Sequence, residues 1–356
     1  MVCIAAFIVL ALMSVFVGIL AIFKRDIGHK YWGTFKKAWG CVWKKVRLQK
    51  CETNFKDDIK NSLLSRVVVK KPKLVKPISI GIEVLAVLIV AVTLWSVVEA
   101  AKAGLSLWVF GTCNVSQPSN CSITDDVCAI DLAPPANIGE ATVRWFTEWG
   151  EIFVGIPDRI RRWDARQYLP QNASFWSYEE GRPVALDVFD PGCPTCLMSF
   201  RNQQASGFFE RNNVAYLPYV IVNPSTGEDR FPNSRLFASY LVAVRTSGVS
   251  STNASNPIPL GWRMIERSFT GEDANNINWQ EAIKRMSEDE ARILLEGWLF
   301  DFGVVPHDIS RIRRVADSAE TKSTLLVYRN IVENRINAKG IPTTIFGGRR
   351  HTGLYE

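Results

Sequence analysis

Apolar and polar residues follow three regimes along this chain. Residues 2–23, "VCIAAFIVLALMSVFVGILAIF", carry no charge, and residues 78–98, "ISIGIEVLAVLIVAVTLWSVV", carry only Glu83. Each run is long enough to cross a bilayer core of about 30 Å at 1.5 Å rise per residue, so two transmembrane helices are predicted. A polar stretch follows, and beyond it short apolar runs alternate with amphipathic ones. "PVALDVFD" (183–190) and "VAYLPYVIV" (214–222) read as strands. Between them, Leu197, Met198, Phe200 and Phe208 fall on or near one helical face. Strand, helix, strand in this order is a βαβ unit, which builds a parallel sheet.

The next hundred residues are helical in pattern. "SRLFASYLVAV" (234–244) is one segment; "SEDEARILLEGWLFDFG" opens with Ser287 and Glu290 in capping-box spacing and stops at Gly303. "TKSTLLVYRNIVENRINAKG" (321–340) sets Leu325, Tyr328, Val332 and Ile336 on one face, and "IPTTIFGGRRHTGL" reads as strand, glycine turn and returning strand. In 141–167, Val143, Phe146, Trp149, Phe153 and Ile160 recur at roughly helical spacing, with a break expected at Pro157. Trp and Arg on such a helix suit a membrane interface; packing on the following domain is the plainer alternative.

Charge sets the orientation. Residues 24–76 hold sixteen Lys/Arg against four acids, so the formal +7 of the chain divides into +12 here and −5 elsewhere. Short basic loops stay cytoplasmic and lie against anionic headgroups. Trp32, Trp39 and Trp43 are interleaved with the lysines, but no recognition motif accompanies them, so nucleic acid is not an expected partner. The first apolar run has no basic residue before it and Lys24 and Arg25 after it, the charge order of an anchor rather than a cleaved signal. The N-terminus and everything after about residue 100 are thus expected outside the cytoplasm.

Six of the eight cysteines (Cys3, Cys113, Cys121, Cys128, Cys193 and Cys196) fall on or near that side, where disulfides persist; Cys41 and Cys51 lie in the basic loop. Cys113, Cys121 and Cys128 sit in a linker rich in Ser, Asn, Asp and Pro and are candidates for structural disulfides. Three cysteines cannot all pair with one another, so one is free, joined to another chain, or joined to Cys3. No metal is expected: these cysteines have no second CxxC and no nearby histidine, and the two thiolates of Cys193 and Cys196 leave a zinc ion two ligands short.

The remaining pair, Cys193 and Cys196 in "FDPGCPTCLMSF" (189–200), carries the chemistry. A leading thiol at the first turn of a helix meets unpaired N–H groups and the positive end of the dipole, both of which favour thiolate. The second thiol, one turn on, is close enough to resolve a mixed disulfide. Cys193 is therefore the candidate nucleophile and Cys196 the resolver, with Pro194 at a position that tolerates a missing N–H. A structural bridge across so short a loop gains little stability.

"CPTC" after a strand, with "GIPTTIF" far downstream, resembles the thioredoxin superfamily and, within it, the DsbA-type disulfide oxidoreductases. The resemblance covers about residues 180–356. It implies that Asp187, six residues before Cys193, is a buried acid assisting proton transfer from the resolving thiol. It also implies that Pro342 is a cis-proline, with Ile341 and Thr343 beside it offering backbone groups to a substrate chain. The 149 residues from Cys193 to Pro342 match a branch that inserts a helical domain at this place. The family's fold normally closes with a helix after the last hairpin; either that helix is absent here or the 141–167 segment takes its place.

The expectation is an α/β, thioredoxin-like fold with helical insertion, preceded by two transmembrane helices. Its parts are a helix in 1–23, a cytoplasmic loop in 24–76, a second helix and flank in 77–110, a Cys-containing linker in 111–140, an aromatic and basic stalk in 141–182, and the thioredoxin-like domain in 183–356, with the insertion at about 230–320. The function that follows is a membrane-anchored thiol-disulfide oxidoreductase acting on exported cysteine-containing proteins, served by a membrane or soluble redox partner. Its only redox group would be its own disulfide. Thiol oxidase is the favoured direction; reductase or isomerase work, or an idle thioredoxin-fold platform in a membrane complex, are the alternatives.

Overall fold

The computed structural model describes residues 75–121, 128–249 and 257–354. The apolar run 2–23, nearly all of the basic loop, and Cys3, Cys41 and Cys51 lie outside the described residues. The chain forms two compact units, 1–101 and 102–356. The linker and stalk segments thus belong to the same unit as residues 183–356.

The second apolar run lies in helix α1 (Val75–Phe110), which ends where Gly111 takes a positive φ of 79°. Among the described residues this is one helix long and apolar enough, by length and composition, to cross a membrane, over Ala91–Phe110.

The larger unit begins with the last turns of that helix. Helix α2 (Ile138–Ile160) starts at Asn137, whose side chain accepts from the Glu140 N–H. It runs through Pro157 rather than breaking there, and the proline takes one backbone donor out of the last turn. Ile152 and Gly155 face Val109 and Phe110, and Lys102 pairs with Glu148. The expected apolar stripe points elsewhere: Val143, Phe146, Phe153 and Ile160 are all more than half exposed. The stalk therefore packs through Ile152 and Gly155 and leaves Phe146 and Phe153 uncovered, with Trp149 half-buried between them.

Strands β2 (Val184–Phe189), β3 (Asn213–Pro218), β5 (Thr343–Phe346) and β6 (Arg349–Thr352) form one sheet in the order β3-β2-β5-β6. The β2–β3 pair is parallel and the other two pairs are antiparallel. This is the arrangement expected of a thioredoxin-like domain. The parallel crossover carries α3 (Pro194–Ala205) and the short α4 (Phe208–Arg211), separated at Gly207, which has φ of 70°. One continuous helix was the expectation, and this left-handed position divides it. Met198 is 42% exposed, while Thr195, Cys196, Ser199, Phe200 and Gln203 form the buried face.

Between β3 and the last strands lie α5 (Ser234–Thr246), α6 (Leu260–Thr270), α7 (Trp279–Arg285), α8 (Glu288–Asp301) and α9 (Pro306–Ala316). Helix α10 (Ala319–Asn330) then runs into a π turn at Ile331–Arg335. The capping box at Ser287 and Glu290 is present. Trp262, Phe200, Phe209, Phe269 and Tyr216 join the insertion to the crossover helices in one aromatic core. Before β2, a 3₁₀ turn at Ala165–Tyr168 packs on the sheet, and the Trp163 N–H donates to Gly348 O at 2.9 Å. A second, two-stranded ladder pairs β1 (Cys128–Ala129) with β4 (Gly340–Ile341), antiparallel.

Candidate active site

Strand β2 delivers the site. Its last residues turn at Asp190-Pro191-Gly192, and Cys193 becomes the N-cap of α3 with Pro194 in the first helical turn. The turn is tightly held. Asp190 Oδ1 accepts from the Gly192 N–H at 2.7 Å and from Ser234 Oγ, and its Oδ2 accepts from the Ile221 N–H at 2.7 Å. Gln280, far away in the insertion, donates to Pro191 O at 2.8 Å and Cys193 O at 2.9 Å. Gly192 is required by close approach: a Cβ there would meet Phe231 Cβ at 2.4 Å.

Cys193 is fully buried and Cys196 is 2% exposed. Cys196 is a free thiol. Burial pushes it well above its ordinary pKa, and the charges of Asp190 and Asp187 push the same way, against a backbone hydrogen bond at Asp190. It stays protonated until a base takes its proton. Asp187, in the middle of β2, accepts from Thr344 Oγ1 at 2.9 Å. Burial raises its carboxyl to about 6, opposed by hydrogen bonds from Thr344 and Gln203. Asp190 is likewise raised to about 6 by burial, opposed by its bonds from Ser234, Ile221 and Gly192. Two carboxylates that titrate near 6 thus lie close enough to Cys196 for their charges to act on it.

The Ile341–Pro342 peptide is cis, and Ile341, Pro342 and Thr343 are all buried. Thr343 Oγ1 donates to Gly340 O at 2.7 Å, which braces the loop. The cover over this loop is β1: Cys128 pairs with Ile341, and Ala129 with Gly340. Cys128 is disulfide-bonded to Cys193, not to a cysteine of its own linker or to Cys3. The expectation for Cys128 is corrected here. Its short strand lies along the proline loop, which brings its sulfur onto the first turn of α3. Thr195 Oγ1 lies 3.8 Å from Cys128 Sγ. Cys113 is also disulfide-bonded, and Cys121 closes the 3₁₀ turn Pro118–Cys121.

The structure therefore brings together Cys193, Cys196, Asp187 and the Ile341–Thr343 loop, and adds Cys128. Sequence reasoning missed Asp190, Gln203, Thr344 and Gln280. Asp190 had a signal, an acid ahead of a Pro-Gly turn that leads into the cysteines; Gln280 had none. Among the described residues no cluster of His, Cys, Asp or Glu could hold a metal ion.

No family model matches the sequence, and no curated protein matches it. Solved structures similar to the chain include a thioredoxin-like oxidoreductase from Silicibacter pomeroyi DSS-3, at 16% identity and TM-score 0.36, over 54% of this chain and 90% of that one. Another is the thiol-disulfide exchange protein alpha-DsbA2 from Wolbachia pipientis, at 13% identity and TM-score 0.34, over 52% and 81%. A third is MdbA, a thiol-disulfide oxidoreductase from Corynebacterium diphtheriae, at 12% identity and TM-score 0.34, over 48% and 78%.

Proposed function

We propose that this protein is a thiol-disulfide oxidoreductase of the DsbA-type branch, working on exported cysteine-containing proteins at Cys193 and Cys196. The observation that carries the reading is the position of the Cys193 sulfur: at the N-terminus of α3, in a disulfide, beside the cis-Pro342 loop, with the buried thiol of Cys196 one turn behind it. A sulfur at a helix N-terminus is a good leaving group and a good nucleophile near neutral pH. In a turnover, a substrate thiolate attacks the Cys193–Cys196 disulfide at Cys193, and Cys196 leaves. A second substrate thiolate then attacks the mixed disulfide, so the substrate gains one disulfide and the site becomes a dithiol. A redox partner takes the two electrons and restores the bridge. Asp187 accepts and returns the Cys196 proton. The protein's own disulfide is the only redox group this scheme requires.

Oxidase work is the favoured direction, because the domain is assigned to the oxidising side of a membrane. In this reading the basic run 24–76 stays inside, the apolar runs 2–23 and 78–98 cross, and the N-terminus and residues beyond about 110 lie outside. The uncovered Phe146 and Phe153 of α2, next to the end of α1, fit an interfacial position among lipid headgroups. The test uses the full chain in detergent micelles: oxidation of a dithiol peptide, reduction of insulin, and the reduction potential of the site. A potential near −120 mV supports an oxidant, and one near −270 mV a reductant. A folded protein active in neither direction would leave only the platform reading.

A further inference from the structure

We infer that Cys128–Ala129 is a resident substrate, and that Cys128 is a third redox cysteine which must leave Cys193 before an incoming chain can use the site. The inference rests on the proposed exchange chemistry at Cys193. Two independent observations carry it. The first is covalent: Cys128 Sγ is bonded to Cys193 Sγ, while Cys196 is a free, buried thiol beneath them. The second is the backbone. Cys128 and Ala129 add antiparallel to Gly340–Ile341, and the Ile130 N–H continues the ladder to Lys339 O at 3.0 Å. A substrate that adds as a strand to the proline loop needs this same edge. The edge and the sulfur cannot serve an outside chain while β1 holds both.

The strand is anchored from outside the ladder as well. Arg230 Nη1 donates to Ala129 O at 3.0 Å, and the Leu132 N–H donates to Ser116 O at 2.7 Å. Asp131 Oδ1 accepts from the Ser119 N–H at 3.0 Å. The last two bonds tie the residues just after β1 to the turn that follows Cys113, and Arg230 ties β1 itself to the loop after β3. A tethered strand competes at an effective concentration of order millimolar, against which a micromolar substrate is at a disadvantage.

The step is an intrachain exchange and balances without any outside reagent. Cys196 gives its proton to a neighbouring carboxylate, Asp187 or Asp190, and its sulfur attacks Cys193 Sγ. The Cys193–Cys196 bond forms, the Cys128–Cys193 bond breaks, and Cys128 leaves as a thiolate that takes up a proton. One disulfide and one thiol are present before and after. The strand, no longer tethered by sulfur, can then give up the Gly340–Ile341 edge. In reverse, Cys128 recloses the site when no substrate is present.

Full-length protein in micelles, equilibrated in glutathione buffers, alkylated and digested without reduction, tests this by disulfide mapping. The wild type should hold the Cys128–Cys193 linkage. Arg230→Ala, which keeps all the cysteines but loosens the strand, should shift the population towards Cys193–Cys196 with Cys128 alkylated. Cys128→Ser should also raise the rate at which a single-cysteine peptide is trapped on Cys193 by about 10²-fold, the lower end of what a tether contributes, the tethered competitor being gone. The inference is overturned if Cys128 maps as a free thiol throughout. A Cys128–Cys193 bridge that stays unchanged in Arg230→Ala overturns it too, as does a Cys128→Ser trapping rate equal to wild type. A bridge that moves among the three cysteines without any transfer to peptides would uphold the intrachain exchange and sink the oxidoreductase reading instead.

Discussion

Thr344 donates a 2.9 Å hydrogen bond to Asp187 across the antiparallel β2–β5 pair, directly opposite it in register. This places the only polar partner pair of that ladder under the α3 helix, where Gln203 also reaches the carboxylate. The strand thus presents a buried acid held by two neutral donors, Thr344 and Gln203. Such a group keeps its proton to higher pH than it does in water.

A kinetic prediction follows from that proton. If Asp187 accepts the Cys196 proton, resolution of a mixed disulfide should quicken as pH rises through about 6, where the carboxyl ionises. Asp187→Asn should lose this rise and slow resolution by about 10²-fold, the lower end of what a positioned acid or base contributes. Stopped-flow resolution of a preformed mixed disulfide, run from pH 5 to 8, measures both. An unchanged pH profile in the variant would remove Asp187 from the proton path.

The same two acids make stability depend on pH. Asp187 and Asp190 are held near 6 in the folded chain against 3.8 for an ordinary aspartate. The folded state therefore binds more protons than the unfolded state between about pH 4 and 6, and stability falls as pH rises across that window. Above about pH 6 this contribution is flat. Each buried carboxylate then costs at most about 3 kcal/mol at neutral pH, from 1.36 kcal/mol per pKa unit. Asp187→Asn, which keeps the shape and an acceptor for Thr344, should be more stable than wild type at pH 7 and about equal near pH 4. Urea denaturation at the two pH values checks the difference.

How much of this could be read from residues alone divides along physical lines. The βαβ crossover, the capping box at Ser287 and Glu290 and the cis-Pro342 loop depend on local pattern and a short motif, and these were legible. The buried face of α3 was not, because Ser199 and Gln203 take buried positions, Gln203 beside Asp187 and Thr344, against the apolar rule. The break at Gly207 was also missed, since one glycine in an amphipathic run leaves the hydrophobic period intact. Cys128 was legible as a disulfide cysteine, but its partner depends on a two-residue strand meeting a loop more than two hundred residues away. Nothing in its neighbours encodes that distance. Gln280 is hidden for the same reason: its two acceptors belong to a turn on another element.

Gly192 provides a packing test. An added methyl would stand 2.4 Å from Phe231 Cβ, which is fixed to the backbone, and 2.8 Å from Ser234 Oγ, which is held by Asp190. Gly192→Ala should force the Asp190–Cys193 turn away from Phe231 and cost about 1–3 kcal/mol, the usual range for overpacking. Thermal unfolding gives the loss. The trapping rate at Cys193 should fall with it, because the same turn orients the N-cap of α3.

Gln280 separates positioning from packing. Its amide donates to two carbonyls, Pro191 O at 2.8 Å and Cys193 O at 2.9 Å, and its side chain is buried. Gln280→Leu keeps most of the volume and removes both donors, leaving two acceptors without that partner. Cys193 O keeps the Cys196 and Leu197 N–H donors at 3.1 and 3.3 Å, so the penalty falls on Pro191 O. A buried acceptor so stripped costs about 1–3 kcal/mol, which urea denaturation should show. Gln280→Glu is the informative companion. Its carboxylate would face the same two carbonyls, so it must bind a proton to restore even one bond, and recovery should appear only as pH falls. Loss of stability with Cys193 reactivity unchanged would make Gln280 a packing residue. Parallel loss of reactivity, recovered at low pH in Gln280→Glu, would show that the helical insertion sets the position of the reacting sulfur.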